Sequence, residues 1–205
     1  MPEAADRPPD PTYLPDADGW VAAARRVPSP NFDARPAGMP LDLVVIHNIS
    51  LPPGQFGTGD IEAFFQNRLD IARHPFFEEI RDVRVSAHFL IARTGELVQF
   101  VACTQRAWHA GQSAFCGRQR CNDFSIGIEI EGTDDQPFTP AQYDTAAALV
   151  RALRQAYPVA AVAGHSDIAP GRKTDPGPHF DWERLARLPA TLLPYHTGPA
   201  DGPGR

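Results

Sequence analysis

The sequence has little of what marks disulfide-rich, membrane-spanning or nucleic-acid-binding proteins. It contains only three cysteines, an odd number that does not suit a disulfide framework. For Cys116 and Cys121 we expect buried or free thiols rather than a metal-binding pair, because no second pair follows. Apolar runs of about 18 residues are missing, so no membrane-spanning helix is predicted. The net charge of −6 argues against nucleic acid or an anionic membrane as the main partner.

The first residues also lack the basic stretch and apolar run of a signal peptide, and we therefore expect a cytoplasmic protein. The apolar content of 42% and charged content of 21% are ordinary for one globular domain of 205 residues. The 22 prolines cluster in segments that we interpret as loops. We predict a mobile, proline-rich lead-in over residues 1–18, one folded domain over residues 19–188 and a loose tail over residues 189–205.

Hydrophobic periodicity predicts both strands and helices in this domain. Thr139, Pro140 and Gln142 form a helix start with a capping box, and we expect that helix to run to Tyr157. A cap at Asp181 predicts a last helix to residue 188. Shorter helices are predicted at 20–26, 60–67 and 76–80. Strands are predicted at 41–47, 85–91, 96–101, 125–131 and 159–163.

The segment Ser125–Glu131 shows the cleanest alternation in the chain. Three isoleucines take one face of the predicted strand, and Gly127, Glu129 and Glu131 take the other. We expect the two carboxylates to face water, a cleft or a counter-charge. Because Gly127 has no side chain, it leaves room above the sheet for something to bind.

Residues 164–178 form a loop rich in proline and glycine that holds His165, Lys173 and Asp175. The imidazole and the carboxylate suit Zn²⁺, and the ammonium suits a developing negative charge. The competing interpretation is a polar surface loop with a helix-capping aspartate. A third ligand would come from His47, at the end of the predicted strand 41–47, unless this side chain is an ordinary core histidine.

A zinc hydrolase needs three protein ligands, a general base and a group that stabilises an oxyanion. His47, His165 and Asp175 can supply the ligands, Glu129 the base and Lys173 the positive charge. This spacing is not a self-sufficient motif, so the residues alone leave a metallohydrolase and a structural role both open.

Five separated blocks of the sequence resemble one family, in order and in spacing. The family is that of the cytoplasmic 1,6-anhydro-N-acetylmuramyl-L-alanine amidases of Gram-negative bacteria. The likeness covers roughly residues 19–188, which it identifies as a zinc amidase catalytic domain. The blocks are VVIHNISLPPG (44–54), RVSAHFLI (84–91), RAWHAG (106–111), RCNDFSIGIEIEG (120–132) and the loop 164–178.

The resemblance implies a mixed α/β fold: a single domain with a central mixed sheet flanked by helices, like peptidoglycan recognition proteins and phage amidases. It implies one Zn²⁺ per chain on His47, His165 and Asp175, with Glu129 as acid/base and Lys173 stabilising the tetrahedral intermediate. The implied reaction is hydrolysis of the amide between the muramyl lactyl group and L-alanine in anhydromuropeptides, during cell-wall recycling. This reaction also lowers the signal that induces β-lactamase in species with that circuit.

Two alternatives stay open: a wall-lytic amidase acting on intact peptidoglycan, and a peptidoglycan recognition module without catalysis. The expected partner is a small muropeptide, and we expect a monomer. Asn48 either binds substrate or orients the adjacent turn; Trp108 either stacks on a sugar ring or is buried; Arg120 pairs with a substrate carboxylate or with Asp123. His88 and His109 are left as packing residues or as residues that support the ligands.

Overall fold

The computed structural model describes residues 10–185. Within that range the strands are Arg25–Arg26 (β1), Phe32–Asp33 (β2), Leu43–Ile49 (β3), Phe89–Ile91 (β4), Leu97–Gln99 (β5), Arg106–Ala107 (β6), Ala114–Phe115 (β7), Arg118–Gln119 (β8), Ser125–Glu131 (β9) and Ala161–Gly164 (β10). The helices are Asp60–Phe65 (α1), Phe76–Glu79 (α2), Pro140–Ala156 (α3), His165–Ile168 (α4) and Trp182–Leu185 (α5). Short 3₁₀ turns lie at Pro11–Tyr13, Ile71–Arg73 and Cys121–Asp123.

Six strands form the central sheet in the order β1-β5-β4-β9-β3-β10. β9 runs parallel to both β3 and β4, β3 runs parallel to β10, and the β4–β5 hairpin is antiparallel. The sheet is therefore mixed, and the predicted fold class is confirmed. β3 and β9 each have a neighbouring strand on both sides, which explains why both are buried over most of their length.

One face of the sheet packs against α3. This helix begins as predicted: the Thr139 side chain accepts from the Gln142 backbone N–H, and the Gln142 side chain accepts from the Thr139 N–H. The resulting core joins strand residues such as Ile46 and Ile128 to helix residues such as Leu149.

The other face of the sheet carries two separate apolar clusters. One contains Leu90 of β4 and Val98 of β5, and the other contains Val45 of β3 and Ala163 of β10. β9 runs between them, so its polar residues lie in the gap that the two clusters leave.

The helix predicted at 20–26 is wrong. Val21 is buried and its backbone N–H donates to the Gln99 side chain at 2.8 Å, while the Trp20 N–H donates to the Asp16 carboxylate at 2.8 Å. These N–H groups are thus bonded outside any helix, and β1 follows as a parallel partner of β5. A segment this short cannot offset the cost of helix nucleation on its own.

Residues 10–18 belong to the segment predicted as a lead-in, yet Tyr13 packs against the main core. At the other end, Asp181 accepts from the Arg184 N–H at 3.0 Å, so the predicted cap of the last helix is confirmed. Residues 186–188 of that helix and the tail over residues 189–205 lie outside the described residues, and the domain boundaries stay a prediction.

The structure also bears on the expectations for the cysteines and for membrane-spanning helices. All three cysteines are free thiols, with Cys103 and Cys121 buried and Cys116 exposed. Within residues 10–185, the helices are too short or too polar to cross a bilayer.

Candidate metal centre

Three parallel strands bring the candidate ligands together. His47 lies on β3 directly opposite Glu129 of β9. Gly164, the last residue of β10, is paired with Ile46, so His165 follows immediately beside His47. The carboxyl ends of parallel strands meet at one edge of a sheet, and the loop after α4 returns to that edge with Asp175.

The three predicted ligands converge on one point. His47 Nδ1 lies 2.9 Å from His165 Nδ1 and 3.1 Å from Asp175 Oδ2, and His165 Nδ1 lies 3.0 Å from the same oxygen. A tetrahedral ion bound at about 2.0–2.2 Å holds its ligands roughly 3.3 Å apart. The donor triangle is slightly tighter than this, so it fits a small metal ion.

The chemistry of the donors also fits a cation. His165 Nε2 lies 3.2 Å from the Ala110 carbonyl oxygen, to which it donates, and this leaves the lone pair of its Nδ1 facing the other two donors. Burial lowers the pKa of His47 to about 4, so this imidazole is neutral near pH 7. Burial opposes ionisation of Asp175, but the neighbouring His165 and His47 outweigh burial and lower the pKa of Asp175.

Glu129 is a buried carboxylate without full pairing. It is 9% exposed, and among the described residues its Oε2 has no hydrogen-bond partner. Burial, reinforced by the negative charge of Asp175, raises the pKa of Glu129 well above its usual value, while Lys173 acts in the opposite direction. A carboxyl with a raised pKa beside a donor triangle can take up and return a proton.

Two clefts flank the donor triangle, and Arg172 and Lys173 line both. The acidic cleft has a volume of about 600 Å³ and is lined among others by Asn48, Ser50, Thr133, Asp134 and Asp135. The basic cleft has a volume of about 390 Å³ and is lined among others by Arg84, Val85, Arg106, Trp108 and His109. Lys173 is exposed and is therefore accessible from either side of the triangle.

The remaining predicted site residues differ in position. Trp108 is half-buried in the wall of the basic cleft. Asn48 lines the acidic cleft, but its side-chain amide donates to Asp134 Oδ1 at 2.6 Å and to the Pro176 carbonyl at 3.1 Å, so it joins two loops. Arg120 lies outside both clefts and pairs with Asp123 at 3.3 Å, the second of its two predicted roles.

The space above Gly127 is filled by protein and not by a ligand. A Cβ atom at Gly127 would lie 2.6 Å from His109 Nδ1, since the His109 ring lies directly over this glycine. His88 accepts the Gly127 backbone N–H at its Nδ1 over 3.0 Å and fixes the strand from the side. The sequence indicates that the space exists, but nothing in its spacing indicates that His109 occupies it.

Comparison with known proteins identifies the family. The profile described as N-acetylmuramoyl-L-alanine amidase matches residues 37–178. The chain belongs to the N-acetylmuramoyl-L-alanine amidase family. Its relatives include the 1,6-anhydro-N-acetylmuramyl-L-alanine amidase AmpD of Escherichia coli, which is 59% identical over 172 residues, or 83% of this chain and 94% of the relative. The family resemblance inferred from the sequence is thereby confirmed, and the protein is an amidase.

Solved structures agree with this assignment. The crystal structure of an Se-Met AmpD derivative is 56% identical, covers 85% of this chain and 99% of its own, and superposes with a TM-score of 0.83. A complex of the Escherichia coli amidase AmiD with anhydro-N-acetylmuramic acid-L-Ala-D-gamma-Glu-L-Lys is 29% identical, with coverage of 85% and 65% and a TM-score of 0.53. Drosophila PGRP-LB, 17% identical with coverage of 77% and 85% and a TM-score of 0.52, shows that this amidase shares the fold of peptidoglycan recognition proteins.

Proposed function

We propose that this amidase is zinc-dependent and hydrolyses the amide between the lactyl group of 1,6-anhydro-N-acetylmuramic acid and L-alanine in anhydromuropeptides. The observation that carries the proposal is the convergence of His47, His165 and Asp175 within 3.1 Å of one another, next to the buried and partly unpaired carboxylate of Glu129. The name of the AmpD relative supports the substrate class, because 94% of its length aligns with this chain.

One Zn²⁺ per chain would be held by His47, His165 and Asp175. The donor set of two imidazoles and one carboxylate is typical of catalytic zinc and leaves the ion with a net charge of +1. When bound, the ion supplies Lewis acidity, which polarises a carbonyl and acidifies water. The protein has to supply the remaining parts of the reaction.

Glu129 takes the proton of the attacking water and returns it to the nitrogen of the leaving L-alanine. It lies opposite His47 in the sheet, which puts the base beside the ligands. Because its pKa is raised, the carboxylate is a stronger base than an exposed glutamate, and its conjugate acid still loses the proton readily to an amine.

Lys173 stabilises the negative charge that develops on the attacked carbonyl oxygen. It lines both clefts and lies on the same loop as Asp175, and its charge is near enough to act on both His47 and Glu129. A fixed positive charge of this kind acts mainly in the transition state.

Substrate contacts follow from the walls of the two clefts. The half-buried face of Trp108 offers a surface for a sugar ring, and the positive charges of the basic cleft suit the carboxylates of a peptide stem. Asn48 affects substrate binding indirectly, because its side-chain hydrogen bonds to Asp134 and Pro176 hold the loops of the cleft wall in place. Contact of Arg120 with a substrate carboxylate remains a proposal that requires release from Asp123.

The physiological role that we infer is recycling of wall fragments in the cytoplasm, by a monomer. Removal of anhydromuropeptides would also lower the β-lactamase-inducing signal in species that have this circuit. The role demands a soluble fragment as substrate and makes intact wall a poor one.

The proposal is tested by mass analysis of anhydro-N-acetylmuramic acid tripeptide incubated with the protein, with and without chelator. The expected products are the free sugar and the free peptide, and chelation should stop their formation until zinc is restored. Purified sacculi serve as the competing substrate. Equal digestion of sacculi would replace recycling with wall lysis, and tight binding without cleavage would leave only a recognition module.

A further inference from the structure

His109 contacts a metal-ligating residue and has no part in the proposed reaction. Its Nδ1 lies 2.9 Å from His47 Nε2, the ring nitrogen of His47 that faces away from the donor triangle. The two rings meet edge to face, with centroids 5.0 Å apart. Both side chains are buried, so water does not compete for this contact.

The positions of the protons along this contact follow from one backbone carbonyl. Ser125 Oγ lies 2.6 Å from the Cys121 carbonyl oxygen, which can only accept, so the serine hydroxyl donates there. The same Oγ is 3.2 Å from His109 Nε2 and must therefore accept from it. Neutral His109 consequently has its proton on Nε2, and its Nδ1 is an acceptor.

An acceptor at His109 Nδ1 requires a donor at His47 Nε2. Neutral His47 then carries its proton on Nε2, and the lone pair of its Nδ1 is directed at His165 Nδ1 and Asp175 Oδ2. In the other tautomer, a proton on Nδ1 would occupy the position where a metal binds, and two lone pairs would face each other across the 2.9 Å between His47 and His109.

We propose that His109 is a positioning residue that holds His47 in the tautomer whose Nδ1 is free to bind the metal. The inference rests on the metal site of the proposed function. Two further features support it: Gly127 provides the space in which the His109 ring lies, and Asn122 fixes the backbone of that residue by accepting its N–H at 3.1 Å.

A matched pair of substitutions separates the acceptor from the shape of the side chain. His109→Asn keeps an oxygen near the position of Nδ1, whereas His109→Leu has the same branching and no acceptor. Loss of such a supporting hydrogen bond typically weakens metal binding by about 10–100-fold. We expect this loss in zinc affinity for His109→Leu, and an affinity close to that of the unaltered chain for His109→Asn.

Zinc affinity is measured by competition with a chelator, after circular dichroism has shown that both variants are folded. Equal affinity of the leucine variant and the unaltered chain would overturn the inference. If both variants bound zinc equally weakly, the inference would be overturned as well. The volume of the histidine ring, and not its hydrogen-bond acceptor, would then determine zinc affinity.

A second measurement needs no substitution. Nitrogen-15 shifts of the histidine rings in the metal-free protein report which nitrogen carries the proton. We expect His47 protonated at Nε2, and a proton on Nδ1 would overturn the inference. If the unaltered chain binds no zinc, the proposed function fails together with the inference; if it binds zinc but His47 has the other tautomer, only the inference fails.

Discussion

The two faces of β9 are almost equally buried, but they are covered by different chemistry. Ile126, Ile128 and Ile130 are at most 1% exposed and pack under α3. On the opposite face Glu129 is 9% and Glu131 4% exposed, in the gap between two apolar clusters. The alternation of a single strand thus separates an apolar surface that stabilises the fold from a polar surface that faces the candidate metal centre.

The two carboxylates on the polar face differ in turn. Glu131 accepts backbone N–H groups from Gly57 at 2.6 Å and Arg93 at 3.0 Å, so its charge is satisfied by the fold. Glu129 lacks a comparable partner at Oε2 among the described residues. A buried carboxylate that lacks hydrogen-bond partners is a candidate for chemistry, whereas a buried carboxylate whose hydrogen bonds are complete is not.

The largest expected effect comes from removing a ligand on the reactive side. His165→Ala leaves only two donors, and we expect zinc to be lost and turnover to fall further than the roughly 10²–10⁴-fold that a general base contributes. Metal analysis and the product assay measure this. The exposed His179→Ala is the matched control and should keep both zinc and activity. Retained activity in His165→Ala would contradict the proposed site.

The next largest effect is expected when each of the two carboxylates is replaced by an amide in turn. We expect Glu129→Gln to keep zinc and the fold but to lower kcat by about 10²–10⁴-fold, because an amide cannot accept the proton from water. Glu131→Gln should keep most of kcat, since this carboxylate is bonded to the backbone. If the two variants exchanged their behaviour, the roles assigned to the two residues would be reversed.

Removal of the charge on the loop should have a somewhat smaller effect. Lys173→Met is expected to lower kcat by about 10²–10³-fold and to change KM little, since the charge acts on the developing oxyanion. Steady-state kinetics on the anhydromuropeptide measure both parameters. Arg68→Met removes the same charge from an exposed position outside both clefts. A change in KM alone would make Lys173 a binder of substrate in its ground state.

The substitution Glu129→Gln should raise the stability of the fold although it lowers activity. The folded pKa of Glu129 lies above the ordinary value of 4.5, so its contribution to stability is fully present below that value and is lost as pH rises through the folded pKa. In metal-free protein at neutral pH, Glu129→Gln should therefore gain about 1–3 kcal/mol. Thermal melts at pH 5 and pH 8 should show the gain growing with pH. A gain that shrank with pH would refute the raised pKa.

The smallest effect is expected on the apolar face. Ile128→Val removes one buried methylene under α3 and should cost about 0.5–1.5 kcal/mol of unfolding free energy. Urea denaturation measures this cost, and kcat and zinc affinity should stay unchanged because the side chain points away from the site. Loss of zinc binding in this variant would show that the two faces are not independent.

Much of this arrangement is predictable from the sequence because it depends on local patterns. A period of two is enough to assign Glu129 and Ile128 to opposite faces of one strand, and the caps at Thr139 and Asp181 locate two helix starts. The set of ligands requires more: His47 and His165 are 118 positions apart, and the family resemblance, not spacing, joins them.

Other features depend on contacts that no local pattern encodes. The helix predicted at 20–26 is absent because the Gln99 side chain, 78 positions away, binds the Val21 N–H. The contact of His109 with His47 depends on which neighbour fills the space over Gly127. Likewise, the Asn48 amide is bonded to Asp134 and Pro176, which reach it only once their loops are folded.

The strand order β9-β3-β10 has a consequence for protein synthesis. β3 is made early, but both of its neighbours in the sheet come from the later part of the chain. A chain emerging from the ribosome therefore lacks part of the proposed donor set until it has been translated past Asp175. If the proposed metal centre forms, the metal can be bound only after nearly the whole described domain has been synthesised, and a chain whose translation stops before Asp175 would lack one of the three donors.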